Sequence, residues 1–219
     1  MAKQKFKPGN MLYPLPVVMV SVADKAGNKN IITVAWTGTI CSSPPMVSVS
    51  VRPERFSHHM IMETGEFVIN LTTRELAFAT DYCGVKSGRD VDKFEQMKLT
   101  AVPADVVKAP MIAESPVNIE CKVTEVKKLG THDMFMAEVV AVHADEKYMD
   151  EKKRFDLTKA EPIVYSHGSY LTTGEEIGTF GYSVRKPQKS KKNQGKSNFQ
   201  KDTGHAGKNV GKKKVLKKV

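Results

Sequence analysis

The chain lacks any apolar run near the roughly 18 residues that a membrane-crossing helix needs. Cysteine is scarce: Cys41, Cys83 and Cys121 are odd in number and far apart, with no CxxC spacing. That excludes a disulfide framework and a thiolate metal cluster, and it fits a reducing compartment. The six histidines form no H-E-x-x-H or other ligand spacing, and the adjacent His58 and His59 would diverge on a helix, so no metal site is expected. There is no G-x-x-x-x-G-K-[ST] loop, no G-x-G-x-x-G between a strand and a helix, and no G-x-S-x-G elbow. Strands do not alternate with long helices either, which argues against a doubly wound dinucleotide fold. Lys3, Lys5 and Lys7 precede an apolar stretch from Met11 to Ala23, but Pro14 and Pro16 interrupt it and no A-x-A site follows. The expectation is a cytoplasmic protein.

Aromatics make up only 7% of 219 residues, with a single Trp, yet the net charge is +10. That charge is local. From Arg185 onward the chain carries 13 Lys and Arg against one acidic residue, while the preceding 184 residues carry 21 basic and 23 acidic ones. The tail is Lys-, Gly-, Asn- and Gln-rich with few apolar residues, too few to offset the entropy of ordering it. The sequence therefore divides into a domain at 1–184 and a disordered Lys-rich tail at 185–219. No nucleic-acid partner is expected except through nonspecific contact with this tail, whose one aromatic is Phe199.

What is present is mostly strand. Val17–Ala23 is short, apolar and β-branched, followed by a turn at 24–28. A single strand is predicted over Ile31–Ile40, and Met46–Val51 alternates with period two. Ser57 is placed as the N-cap of a short helix over His58–Glu63 that Gly65 ends. Glu66–Leu71 reads as a strand, and a helix from Thr73 to about Tyr82 stops at Gly84. Val117–Leu129 and Met134–Ala144 form a hairpin around a Gly-containing turn, and Ile163–Tyr165 is a last short strand. About six strands with few helices make the chain mainly β, a small antiparallel barrel.

The segment ITVAWTGTICSSPP at 32–45 carries the chemistry. Its even positions hold Ile32, Val34, Trp36, Gly38 and Ile40; its odd positions hold Thr33, Ala35, Thr37, Thr39, Cys41 and Ser43. In one strand these sets face opposite ways. The small, hydroxylated face is either the wet side of an ordinary strand or a surface where a flat ligand approaches the backbone. By the same parity the Trp36 ring turns to the bulky side. Periodicity does not separate the alternatives.

Six motifs in order do. Asn30-x-x-Thr33-x-Ala35-Trp36-Thr37 with Pro44-Pro45, VRPERFS at 51–57, GEFVIN at 65–70, GRDVDKFE at 88–95, KLGTH at 128–132 and GTFGYS at 178–183 together resemble the flavin reductase-like family of FMN-binding split barrels, and its flavoredoxin branch most. The resemblance implies a homodimer of six-stranded Greek-key barrels with FMN near the subunit interface. It implies a flavin site using Asn30, Trp36, Ser57, Lys93, His132 and Tyr165 with the backbone and hydroxyls of 35–41, so that Thr33, Ala35, Thr37, Thr39 and Cys41 join the candidate set. Ser57 stands where Thr is usual, and Tyr165 where Phe is frequent. Lys93 and His132 would supply charge to the phosphate, Arg52 and Arg55 could meet it too, and Asp90 and Asp92 would orient the Lys93 loop. The implied activity is an NAD(P)H-dependent flavin reductase, or a flavoredoxin-like carrier that passes electrons to a protein partner. Hydride transfer to a flavin needs stacked rings rather than a protein acid, so no catalytic side chain is nominated. The rival reading is a non-catalytic flavin-binding module that its basic tail delivers to nucleic acid.

Overall fold

A computed structural model describes residues 1–185, which divide between a compact unit, Met1–Glu175, and the start of a second, Glu176–Val219. The Lys-rich tail lies outside the described residues from 186 onward. Within the second unit, Gly181 adopts φ 79 before a single 3-10 turn at Tyr182–Val184.

The first unit opens with β1 (Leu15–Pro16), β2 (Val18–Ala23), β3 (Lys29–Val34), β4 (Thr37–Ser42) and β5 (Pro45–Val51). Helix α1 (Phe56–Thr64) leads into β6 (Glu66–Leu71), and α2 (Ala77–Val85) and α3 (Lys93–Gln96) precede the short β7 (Ala101–Val102) and β8 (Met111–Ile112). The long hairpin is β9 (Val117–Lys128) and β10 (Asp133–Ala144), followed by β11 (Ile163–Ser166) and β12 (Ser169–Thr172). One antiparallel sheet runs β3-β2-β6-β9-β10-β5-β4, and β1-β11-β12 form a second. The main sheet curls until β3 and β5 meet, with Ile32, Val34, Val47, Val49 and Val51 in one cluster, while Ser50 N on β5 donates to Trp36 O at 2.8 Å and extends the β4–β5 ladder by one step. Six strands thus close a barrel, and β4 continues as a flange paired only with β5.

Side-chain alternation fills the barrel. Val18, Val20 and Val22 of β2, Ile32 and Val34 of β3, and Val47, Val49 and Val51 of β5 share one cluster with Phe67, Ile69 and Phe135. Met60 and Ile61 of α1 belong to the same cluster, so this helix stoppers the barrel. The opposite faces of β2 and β3 are not wet. Met19 and Ile31 pack there against Leu76, Ala79 and Cys83 of the α2 region and Phe94 of α3, which leaves all six residues of β2 buried.

Four local expectations change. The strand expected over Ile31–Ile40 breaks at Ala35–Trp36, because the chain must leave the barrel to form the flange. Parity therefore does not carry from β3 to β4. Helix α1 starts one residue before Ser57, with Arg55 at the N-cap and no side chain capping it. Helix α2 starts at Ala77 rather than Thr73 and runs through Gly84, whose added Cβ would lie 3.2 Å from the Thr33 Cβ. The missing side chain lets α2 lie close on β3. Finally, β12 pairs with β11 to close the small sheet, a strand that sequence periodicity missed.

Candidate functional site

Two adjoining clefts open over β3, sharing Ile32, Arg52, Arg55 and Gly84. The first, about 460 Å³, runs between the 52–57 segment and the 83–93 region. The second, about 640 Å³, is bordered by Trp36, Thr131, His132, Tyr165 and Tyr170.

The first cleft is cationic. Arg52, Arg55, Lys86, Arg89 and Lys93 line it against one acid, Glu54, and among the described residues none of these cations is in an ion pair. Lys93 is the most constrained, at 4% exposure. Asp92 caps α3 by accepting from Phe94 N and Glu95 N, which fixes the helix that carries Lys93. The Lys93 ammonium donates to Ile31 O at 2.6 Å and Cys83 O at 2.8 Å. Three donors with two carbonyl partners leave one N–H for something else. Burial pulls its pKa down to about 8, the Cys83 thiol opposes that fall, and Arg55 adds to it. A buried ammonium without a carboxylate is a site that an anion would complete.

Lys93 thus makes a pH prediction with two signs. Its pKa is depressed on folding, so without ligand its burial opposes stability below about pH 8, and that cost is relieved as pH rises toward the ordinary 10.5. Urea unfolding at pH 7 and pH 10 should show wild type gaining about 1–3 kcal/mol relative to Lys93→Met. Affinity for a phosphate-bearing ligand should move oppositely, weakening as pH passes 8 and the ammonium is lost. A stability difference that is flat in pH would refute the assigned burial cost.

Asn30 and Ser57 form the floor of the cationic cleft. Both are buried, and Asn30 Nδ2 donates to Ser57 Oγ at 2.9 Å. The Ser57 hydroxyl keeps its own proton for a ligand, beside the start of α1, where His58 N donates to Arg55 O at 3.0 Å and the Phe56 and Ser57 N–H groups have no intrahelical acceptor. Gly88 is pressed onto this pair: a Cβ there would lie 2.3 Å from Asn30 Oδ1.

The second cleft is aromatic. Trp36 is 41% exposed, with its ring stacked on His132 at 6.0 Å between centroids and 9° between planes. The break before β4 brings the ring here, not to the bulky side that strand parity assigned. His132 is held from two directions. Thr131 Oγ1 lies 2.9 Å from its Nδ1, and the neighbouring Asp133 pairs with buried His58 of α1 at 2.9 Å. Burial lowers the His132 pKa and Arg52 lowers it further, against Glu54. The imidazole is therefore mostly neutral near pH 7, and the positive charge expected of it comes from the arginines and Lys93 instead. On the far border Tyr165 meets Tyr170 edge-on at 5.8 Å. Tyr170 donates to Asp81 Oδ1 at 3.1 Å, and burial with that bond raises its pKa to about 12.

The structure brings Asn30, Thr33, Ala35, Trp36, Ser57, Lys93, His132 and Tyr165 around these clefts. Thr33 borders the aromatic cleft, but its hydroxyl donates to Thr80 O of α2 at 2.5 Å. The hydroxylated face of β3 thus packs on a helix rather than on solvent. Thr37 donates to Ser48 O at 2.7 Å and lines a third cavity, which shares Asn10, Ala35 and Trp36 with the aromatic cleft. Thr39 and Cys41 on the flange border neither cleft. The residues that sequence reasoning missed are Asn10, Asp81, Lys86, Gly88, Arg89 and Tyr170. Only Gly88 and Arg89 carried a signal, at the head of GRDVDKFE.

Comparisons with known proteins identify the family and the fold. The family model described as flavin reductase like domain matches residues 10–174. The flavoredoxin of Desulfovibrio vulgaris (Miyazaki F) is similar, with a TM-score of 0.79 and 30% identity over 84% of this chain and 100% of that one. The flavoredoxin of Methanosarcina acetivorans gives 0.76 and 29% over 84% and 100%. An FMN-binding protein from Thermus thermophilus gives 0.67 and 26% over 82% and 98%.

Proposed function

Because the chain belongs to the flavin reductase like domain family, we propose that it is an FMN-binding oxidoreductase, taking reducing equivalents from NADH or NADPH or relaying electrons to a protein partner as a flavoredoxin-like carrier. The observation that carries this reading is a cationic cleft opening into an aromatic one across shared residues. FMN has the matching halves, a near-dianionic phosphate and a flat ring system. Bound FMN would supply the hydride and electron-transfer chemistry.

The chain's residues bind and orient. Arg55, Ser57, Lys93 and the first turn of α1 would hold the phosphate. Trp36, His132 and Tyr165 would border the ring, and a neutral His132 suits stacking beside it better than a cation does. Asp133 and His58 keep the turn that carries His132 in place. No side chain is needed to move a proton for hydride transfer. We also place the protein in the cytoplasm, in keeping with three unpaired cysteines. Among the described residues no helix is long and apolar enough to cross a membrane. A homodimer fits the flange β4, which among the described residues has a partner on one edge only and shows Ile40 at 46% exposure.

The test is direct. Purified protein mixed with FMN and desalted should keep flavin absorbance, or bind FMN reversibly by fluorescence titration. NADH or NADPH oxidation with FMN would mark a reductase; retained FMN without turnover, reducible by a protein donor, would mark a carrier. Absence of FMN binding at 100-fold ligand excess would overturn the proposal.

A further inference from the structure

The cationic cleft carries more positive charge than one flavin phosphate can neutralise. Five cations face one acid there, whereas a phosphate monoester brings at most two negative charges. The cations also fall into two sets held by different atoms. Lys93 is fastened under β3 and α2 by Ile31 O and Cys83 O and lines the cleft with the bonded pair Asn30 and Ser57. Arg89 is fastened to the other segment of the cleft. Its Nη1 donates to Glu54 O at 3.1 Å and its guanidinium lies 5.4 Å from the Phe56 ring centroid. The Ser87 hydroxyl accepts from Arg89 N at 3.2 Å, fixing the backbone from which the side chain springs. One carbonyl bond uses one of five guanidinium N–H groups, so most of the fork stays available. Lys86 lies in the same turn and lines the same cleft.

We propose that Lys86 and Arg89 form a second phosphoryl subsite, distinct from the first at Arg55, Ser57 and Lys93, which takes a phosphoryl group of a dinucleotide. This deepens the flavin reading and rests on it. Two ligands offer that chemistry: the adenylate half of a flavin dinucleotide, or a nicotinamide dinucleotide lying beside bound flavin. An Arg held by a backbone carbonyl and an aromatic face keeps its geometry before a ligand arrives, so less entropy is lost on binding. Joining the two subsites within one cleft would favour ligands whose phosphates are linked.

The test compares wild type with the double variant Lys86→Gln, Arg89→Gln, which removes charge and keeps bulk. FMN and FAD are titrated into flavin-free protein by fluorescence, and NADPH and NADH into the FMN-loaded form. Thermal unfolding checks that both proteins fold equally. The expected result is FMN affinity within about threefold of wild type and a 10–100-fold loss for at least one dinucleotide, with a shallower salt dependence. Loss confined to FAD names the flavin dinucleotide. Loss for NADPH alone names its 2′-phosphate, and equal loss for NADPH and NADH names the shared diphosphate. Unchanged affinities throughout, or an FMN loss as large as the dinucleotide loss, would overturn the second subsite. Wild type that takes up no flavin but binds a dinucleotide at Lys86 and Arg89 would overturn the flavin reading and leave the subsite standing.

Discussion

Gly88→Ala should weaken FMN binding by roughly 10–100-fold while the barrel still folds. Space is the cause, since Gly88 does not have a positive φ. A Cβ there would sit 2.3 Å from Asn30 Oδ1, 2.5 Å from its Cγ and 2.7 Å from its Nδ2. An exposed side chain would swing away. Asn30 is 3% exposed and bonded to Ser57, so either that bond breaks or the 87–89 turn lifts off. Each costs on the order of 1–3 kcal/mol, and each disturbs the floor of the phosphate cleft. The measurement is FMN affinity beside the thermal midpoint of the flavin-free variant. Wild-type affinity in a normally folded variant would show that the Asn30–Ser57 floor does not serve the ligand.

Glu120→Ala should be the most destabilising single change in the barrel wall, at about 3–5 kcal/mol. Glu120 is fully buried, and its carboxylate accepts from Asp105 N, Val106 N and Val107 N at 2.7–2.9 Å and pairs with His143 Nε2 at 2.6 Å. The side chain thereby ties the 105–107 loop to β9 and β10. Truncation strands three N–H groups away from water. Burial by itself would raise the Glu120 pKa, but the Asp105 N–H, His143 and the Val106 and Val107 N–H groups outweigh it and leave it lowered. The sign follows: the carboxylate stabilises the fold above its ordinary value of 4.5, and that contribution fades as pH falls through the lowered folded-state value. Urea unfolding at pH 7 and pH 4 should show wild type losing more stability than Glu120→Gln. Flavin binding per folded molecule should not change, since Glu120 lines neither cleft. A loss under about 1 kcal/mol for Glu120→Ala would mean water reaches those N–H groups. Asp105 and His143 complete a carboxylate–imidazole group here, but the Glu120 lone pairs are already filled by four donors, which makes it a structural clamp.

These residues show what local reading can reach. Met46–Val51 was legible because its alternation reports a buried face against a more exposed one, and the β9–β10 hairpin because a Gly-containing turn joins its two strands. Asn30, Ser57, Lys93 and His132 were legible because their motifs keep order and spacing along the chain. Lys93 illustrates the limit. Its sequence context, DVDKFE, reads equally as a solvated helix face, and only the packing of α3 under β3 makes it a buried ammonium. Glu120 is the same case: VNIECKV looks like a strand with a polar side until the 105–107 loop covers it.

A mainly β chain, a family-specific order of motifs and a net charge concentrated at one end follow from the order of the residues. Periodicity and spacing are properties of neighbouring residues, so they survive without coordinates. Tertiary structure alone decided what the small face of 32–43 does. The chain breaks at Ala35–Trp36 to leave the barrel, α2 covers the Thr33 side, and the Trp36 ring turns to His132. Parity presumes a continuous strand with one open face. Here the strand was interrupted and its open face was claimed by a helix more than forty residues away in sequence.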